Sequence, residues 1–212
     1  TRPVTSGNNE PNPYNHLFKS GAMDIIGFNY HAYEYENVPK NFPGKPFLAA
    51  ETTSALMTRG YYRMPSDSMF IWPTRWDIPF SDPSFSCSSY DNCHVPWGST
   101  HESVWNKVKN NDFISGMYIW TGFDYIGEPT PFGFPARSSY FGIVDLAGFP
   151  KDVYYMYQSE WTDKDVLHVF PHWNWTKDET VDVWAYYNNA DEAELFLNGI
   201  SQGVKKKENE QL

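Results

Sequence analysis

The sequence predicts an α/β unit followed by an all-β segment, and three patterns carry that expectation. Short apolar runs alternate with helix-forming stretches up to residue 161, and beyond it brief alternating runs are separated by Asn, Asp and Gly. No run reaches the about 18 apolar residues that would span a membrane. Taken in order, "RPVTS" (residues 2–6) and "MDIIGFNY" (residues 23–30) read as buried strands, the second rich in β-branched and aromatic side chains. "PYNHLFKSG" between them has Pro near its start and Gly after its end, the punctuation of a short helix. "FLAA" (residues 47–50) is the next strand. Residues 56–98 are aromatic, Pro-rich and too long for an ordinary connector, so they read as a functional insertion or as a loop packed on itself. "STHESVWNKVKNND" is an amphipathic helix capped by Ser99 or Thr100, with Glu102 in its first turn and Val104, Trp105 and Val108 on one face. "ISGMYIW" (residues 114–120) is a strand, and "PKDVYYMYQSEW" (residues 150–161) a helix with Val153, Tyr154 and Tyr157 sharing a side. Strand and helix in alternation imply parallel strands joined by right-handed crossovers.

After Trp161, "VLHVFPHW", "TVDVWAYYNN", "EAELFLNG" and "ISQGVKKK" alternate apolar and polar residues in the manner of an antiparallel sandwich. A boundary is expected near Thr162, dividing residues 1–161 from residues 162–212. Four strands fall short of the roughly seven of an immunoglobulin-like sandwich. Four β/α units are half of a (β/α)8 barrel, and an open half exposes an edge strand and an apolar interior. The expectation is thus half a TIM barrel and part of a sandwich, both continuing outside this chain.

Charge and composition exclude several functions. Asp and Glu number 26 against 16 Lys and Arg, a formal charge of −10, and the basic cluster of Lys205, Lys206 and Lys207 stands alone, which argues against nucleic-acid partners. The six His show no metal-ligand spacing, and Cys87 and Cys93 supply too few ligands for zinc, so neither metal nor cofactor is expected. The two cysteines, set in the polar loop "SCSSYDNCHVP", form either a small disulfide in an oxidising compartment or a pair of reduced thiols. "TRPVTSGNNEPNP" has neither a charged n-region nor an apolar h-region, so an export signal would lie outside this chain. Aromatics at 18% of residues are enough to line a sugar-sized cleft as well as a core.

Active sites on parallel barrels lie at the C-terminal ends of the strands. Asn29, Tyr30 and His31 fall at such an end, as do Glu51 and then Trp120 and Asp124. Tyr30 and Trp120 read equally as core aromatics. Glu51, set against the apolar "FLAA", is either a structural charge held by a partner or a reagent aimed into a cleft.

"DIIGFNY", "PFLAAETTS" and "GMYIWTGFDYIGEPTP", in this order, resemble the last three barrel strands of glycoside hydrolase family 2, the β-galactosidase, β-glucuronidase and β-mannosidase group. "SSYFGIVDLAGFPKDVYYMYQSEW" is similar to the closing helix region of β-galactosidase-like members from polysaccharide-degrading bacteria. The resemblance implies strands five to eight of the barrel with an insertion at about residues 56–98, a following immunoglobulin-like domain, a carbohydrate substrate and a periplasmic or secreted location. It makes "NWT" at Asn174 a chance match to a glycosylation sequon. The family cleaves β-glycosides with retention through two carboxyl groups about 5–5.5 Å apart.

By motif Glu51 matches the nucleophile, and the small Thr52, Thr53 and Ser54 would leave room for a sugar. Tyr30 matches a tyrosine that holds the nucleophile ionised and turned, and Trp120 matches the platform under the sugar ring. Asn29 and Asp124 would contact hydroxyls or support these residues, with His31 unassigned. The acid/base Glu of the family follows an Asn one strand earlier than "TRPVTSG". Glu10 of "NNE" is therefore not that residue, which is expected before Thr1, on the remainder of the same polypeptide or on a complementary chain. This chain alone is then inactive. Thr52 and Ser54 stand where many galactosidases carry an aromatic residue and a His, and no glucuronidase-like Asn-x-Lys motif is present. That leaves a galactoside first, with a modified galactoside or another β-hexoside as alternatives. Trp72, Arg75, Trp76 and Trp97 of the insertion are candidates for outer subsites. The rival reading is a carbohydrate-binding or scaffold protein that kept the fold without the chemistry.

Overall fold

A computed structural model describes residues 2–207. In chain order it contains a one-turn helix α1 (His16–Lys19), strand β1 (Ile26–Asn29), and a 3-10 helix (Ala32–Asn37) leading into α2 (Val38–Asn41). Strand β2 (Phe47–Thr53), the short strands β3 (Phe70–Ile71) and β4 (Cys93–His94), helix α3 (His101–Lys109), strand β5 (Ile114–Trp120) and helix α4 (Asp152–Trp161) follow. Four strands come last: β6 (Leu167–Phe170), β7 (Trp184–Tyr187), β8 (Glu192–Leu197) and β9 (Ile200–Lys206).

The parallel strands expected from the apolar runs are present, in the order β1-β2-β5. Asn29 pairs with Glu51 and Thr53 with Trp120, so the C-terminal ends of all three strands meet at one place. The central strand is anchored on one side by Phe47 and Ala49, both fully buried. They pack with Phe28, Tyr35, Val104, Val108 and Ile114, which fixes α3 against the sheet. Ring centroids of Phe28 and Phe47 lie 4.6 Å apart, so aromatic packing contributes to the rigidity of both strand ends. Helix α3 is capped by Thr100, whose Oγ1 accepts the Ser103 N–H at 3.2 Å. The fully buried Asp91 accepts the His101 and Glu102 N–H groups at 3.0 and 2.9 Å. Burial pushes the Asp91 carboxyl up to about 7 and the His101 imidazole down to about 3.

Several expectations are corrected. Residues 2–6 form no strand; they run extended beside β1, Val4 O accepting the N–H groups of Asp24 and Ile25. Pro3 has no N–H to offer, and residues 2–5 are exposed, so the run lacks the buried face that holds a strand. Gly27 permits the close approach: a Cβ there would meet Ser6 O at 2.4 Å. Strand β2 continues past "FLAA" through Thr53, placing Glu51 within the ladder rather than beyond it. On α4 the buried face is Val153, Met156 and Tyr157, with Tyr154 only half-buried. Residues 56–98 pack in large part on themselves, one of the two readings of the insertion, and their core also takes in Phe132 and Phe141. Leu56, Met57, Cys87, Cys93 and Val95 are fully buried, and β3 pairs with β4 in parallel. Cys87 and Cys93 are free thiols inside this cluster, and burial raises the Cys87 thiol well above its ordinary range.

The final strands form two antiparallel pairs, β6 with β7 and β8 with β9, and among the described residues no ladder joins the pairs. The first pair is docked to the α/β part. Phe170 and Tyr186 share a core with Met57, Tyr90, Val153 and Met156. The Tyr90 hydroxyl donates to Asp182 O at 2.6 Å, and Asp152 contacts Tyr62, Ser89 and His168.

Candidate active site

Glu51 extends from the C-terminal part of β2 with its carboxylate half-buried. Its Oε2 accepts a hydrogen bond from the Tyr30 hydroxyl at 2.8 Å, and its Oε1 accepts one from Asn29 Nδ2 at 3.1 Å. Asn29 is supplied by the end of β1, directly beside Glu51 in the ladder, and Tyr30 follows it. Asn29 Nδ2 also donates to Asn9 Oδ1 at 3.1 Å, and Ser54 Oγ donates to the Tyr30 oxygen at 2.9 Å. Among the described residues no Lys or Arg pairs with Glu51, so the carboxylate is oriented by neutral donors alone. Burial, with the Glu51 charge adding and the Ser54 hydrogen bond opposing, pushes the Tyr30 phenol above its ordinary range. Tyr30 is therefore a stable neutral donor.

Strained backbone frames this cluster. Tyr30 and His31 both have φ of 52°, Thr53 has 71° and Ser54 has 50°, left-handed values that cost a β-branched residue such as Thr53 most. The strain at Thr53 is held by its neighbours: its Oγ1 donates to Thr52 O at 2.6 Å and its own carbonyl accepts the Ser99 N–H at 2.7 Å. Thr52, Thr53 and Ser54 are all buried, and they brace the strand end. His31 directs its Nδ1 to Asn29 O at 2.8 Å and packs edge-on against Tyr33. Trp120 ends β5 with a cis peptide to Thr121, half-buried, its ring 6.0 Å from that of Tyr125. Tyr125 in turn hydrogen-bonds Glu128, whose charge reaches Tyr30.

Asp124 is placed differently from Glu51. Its Oδ2 lies 2.7 Å from Nζ of Lys151, which is only 1% exposed, and its Oδ1 accepts the Gly142 N–H at 2.8 Å. Lys151 Nζ also donates to Met57 O and Tyr140 O. Asp124 is thus held in a buried ion pair. In the insertion, Trp76 and Trp97 share the lining of one cavity. Trp72 packs beneath it against Phe70 and Phe80, and Arg75 is engaged with Asp77 at 2.6 Å. Glu10 is exposed, past the point where Asn8 bridges to Phe28. Asn9, Lys151 and Glu128 were not singled out by the sequence. Asn9 lies in the "NNE" set aside on other grounds, and the other two carry no local signal.

With this geometry in place, the likeness to known proteins is informative. β-Galactosidase BoGH2A of Bacteroides ovatus is 72% identical over 208 residues, covering 98% of this chain and 24% of that protein. The crystal structure of a β-glycosidase from Bacteroides vulgatus matches 100% of this chain and 28% of its own at 35% identity and a TM-score of 0.79. The chain belongs to glycoside hydrolase family 2. A glycosyl hydrolase family 2 member from Bacteroides cellulosilyticus shares the fold, with a TM-score of 0.60 at 22% identity over 98% of this chain and 26% of that one. A family model described as a domain of unknown function, DUF4982, matches residues 178–212. The chain spans about a quarter of the length of these family 2 relatives.

Proposed function

We propose that this chain provides the nucleophile and part of the sugar-binding cleft of a retaining β-glycosidase that removes β-galactosyl residues from poly- or oligosaccharides. The observation that carries the reading is the environment of Glu51: a carboxylate at a parallel-strand end, aimed by Tyr30 and Asn29, with no cation paired to it among the described residues. An anion so held is oriented by hydrogen bonds yet free to form a bond to carbon. In the proposed reaction one Glu51 oxygen attacks the anomeric carbon as the glycosidic bond breaks and the leaving oxygen takes a proton from a second carboxyl group. Water then attacks the anomeric carbon of the glycosyl-enzyme and gives its proton to that same second group, as the bond to Glu51 breaks and the carboxylate is released. On this reading the acid/base residue lies outside the present chain, and residues 1–161 are the C-terminal half of a (β/α)8 barrel. Residues 162–212 begin an immunoglobulin-like sandwich. A periplasmic or secreted bacterial location is part of the proposal.

Trp120 supplies the flat face beneath the sugar ring, and Asn29 supports the carboxylate. Asp124, closed in its pair with Lys151, acts by holding the loop after β5 and not by touching substrate. The test is Glu51→Gln in the full-length protein, which keeps the side chain's size and one of the two acceptor oxygens and removes the nucleophile. Turnover of β-galactosides should fall by about 10⁴-fold while sugar binding persists. Turnover close to that of the parent would overturn the assignment, and a parent without β-galactoside turnover would favour a binding protein on the same fold.

A further inference from the structure

Pro73, Trp76 and Phe80 of the insertion, Trp97 and residues 130–133 line a cavity of about 320 Å3 that opens to the surface. That lies within the roughly 300–1,000 Å3 of ligand-binding clefts. Phe80 and the buried Phe132, both in its lining, pack tilted against each other with centroids 5.5 Å apart, and of the other lining rings Trp76 is 78% exposed and Trp97 39%. Large aromatic rings left open to water in a cavity wall are a costly arrangement for a core and a useful one for a ligand with flat apolar faces.

The position of the cavity relative to Glu51 decides which ligand. Trp97 precedes Gly98, where a Cβ would meet Thr53 O at 2.5 Å and Ser54 O at 2.9 Å, so this segment is seated directly on the end of β2. The Ser99 N–H to Thr53 O bond of 2.7 Å fixes it there. Residues 130–133 belong to the loop that leaves β5 past Trp120 and Tyr125. Both walls therefore grow from the strand ends that carry Glu51 and Trp120. Trp72 packs tilted against Phe80 at 4.8 Å and Arg63 lies 4.7 Å over Trp72, giving the aromatic lining a second layer.

We propose that this cavity is a binding site for the leaving-group portion of an oligosaccharide, with Trp76 and Trp97 stacking on pyranose rings beyond the scissile bond. The inference rests on the reading of Glu51 given above and deepens it. The enzyme would be built for β-galactosides that carry several further sugar units, and a substrate without them would gain nothing from the cavity.

The test compares full-length parent, Trp76→Ala and Trp97→Ala proteins on β-galactosyl fluoride, which has no leaving-group sugar, and on β-1,4-galactotetraose. On the tetrasaccharide kcat/KM should fall about tenfold, through KM. Turnover of the fluoride by the Trp76→Ala protein should change by less than about twofold, since Trp76 is 78% exposed in this chain and makes no contact with Glu51, Tyr30 or Asn29. Titration of the tetrasaccharide into Glu51→Gln and Glu51→Gln/Trp76→Ala proteins should show the same about tenfold weakening. Trp76→Phe should restore most of it. Equal losses on both substrates, or a titration that the Trp76 change leaves unmoved, overturn the platform while Glu51 keeps its role. A parent that turns over neither substrate overturns the reading of Glu51, and the titration alone then decides the platform.

Discussion

Two carboxylates stand at the same end of the parallel sheet, Glu51 on β2 and Asp124 on the loop after β5, and their surroundings are opposite. Asp124 faces a buried ammonium at 2.7 Å and a backbone N–H at 2.8 Å. Glu51 faces a phenol and a carboxamide, both neutral, at 2.8 and 3.1 Å. A buried cation satisfies a carboxylate and spends its charge, which makes a structural tie. Neutral donors fix the direction of a carboxylate and leave its charge available. The partner, more than the acid itself, separates a brace from a reagent.

The largest effect that would break this contrast is on the Asp124 side. Lys151→Met removes the ammonium and strands a carboxylate and two carbonyls in the interior. It should destabilise the full-length protein by about 3–5 kcal/mol, measured by denaturant unfolding. Burial lowers the Lys151 ammonium from its ordinary value and Asp124 opposes that, as a tightly held pair requires. Adding Asp124→Asn to Lys151→Met should recover part of the loss. A Lys151→Met protein as stable as the parent would mean that Asp124 does not depend on its cation, and the contrast with Glu51 would fail.

A smaller effect is expected where the donors are neutral. Tyr30→Phe deletes the 2.8 Å hydrogen bond to Glu51 and changes little else in the packing. A bond to a charged acceptor contributes enough that kcat/KM for β-galactosides should fall about 10- to 100-fold. Stability should fall by no more than about 1–3 kcal/mol, from the buried Ser54 hydroxyl that loses its acceptor, because the half-buried Glu51 keeps Asn29 and access to water. Steady-state kinetics and unfolding on the same preparation separate the two. A large stability loss with unchanged kinetics would make Tyr30 a brace like Lys151.

How far this division was legible in the sequence follows from the range of the contacts. β1, β2 and β5 announce themselves as apolar runs, and Asn29, Tyr30 and Glu51 lie at or beside the ends of those runs, so local pattern marks their positions while the roles expected of them come from the family resemblance. Lys151 lies in "FPKDVYY", where a lysine at a helix start reads as solvated. Its burial comes from Met57, Tyr140 and Asp124, which local pattern cannot bring together. Residues 2–6 misled for the converse reason: the letters suit a strand, but the run has neither a buried face nor a full set of donors. Trp72 and Trp76 look alike in sequence, yet one packs on Phe70 and Phe80 while the other is exposed.

Ser54 offers the finest division of the comparison. Its hydroxyl donates to Tyr30 at 2.9 Å, one bond removed from Glu51, in a residue that is 1% exposed. By polarising the phenol it should strengthen the hydrogen bond that Tyr30 gives the carboxylate, since linked hydrogen bonds reinforce one another. Ser54→Ala keeps the Tyr30 donor and removes only that reinforcement, so kcat/KM should fall about two- to fivefold, well below the Tyr30→Phe effect. In a Tyr30→Phe background the same change should have no further kinetic effect, because the acceptor for Ser54 is gone. Should Ser54→Ala cost as much in that background as alone, its influence would run through the strained turn at Thr53 and Ser54 instead of through the phenol, and the relay to Glu51 would be discarded.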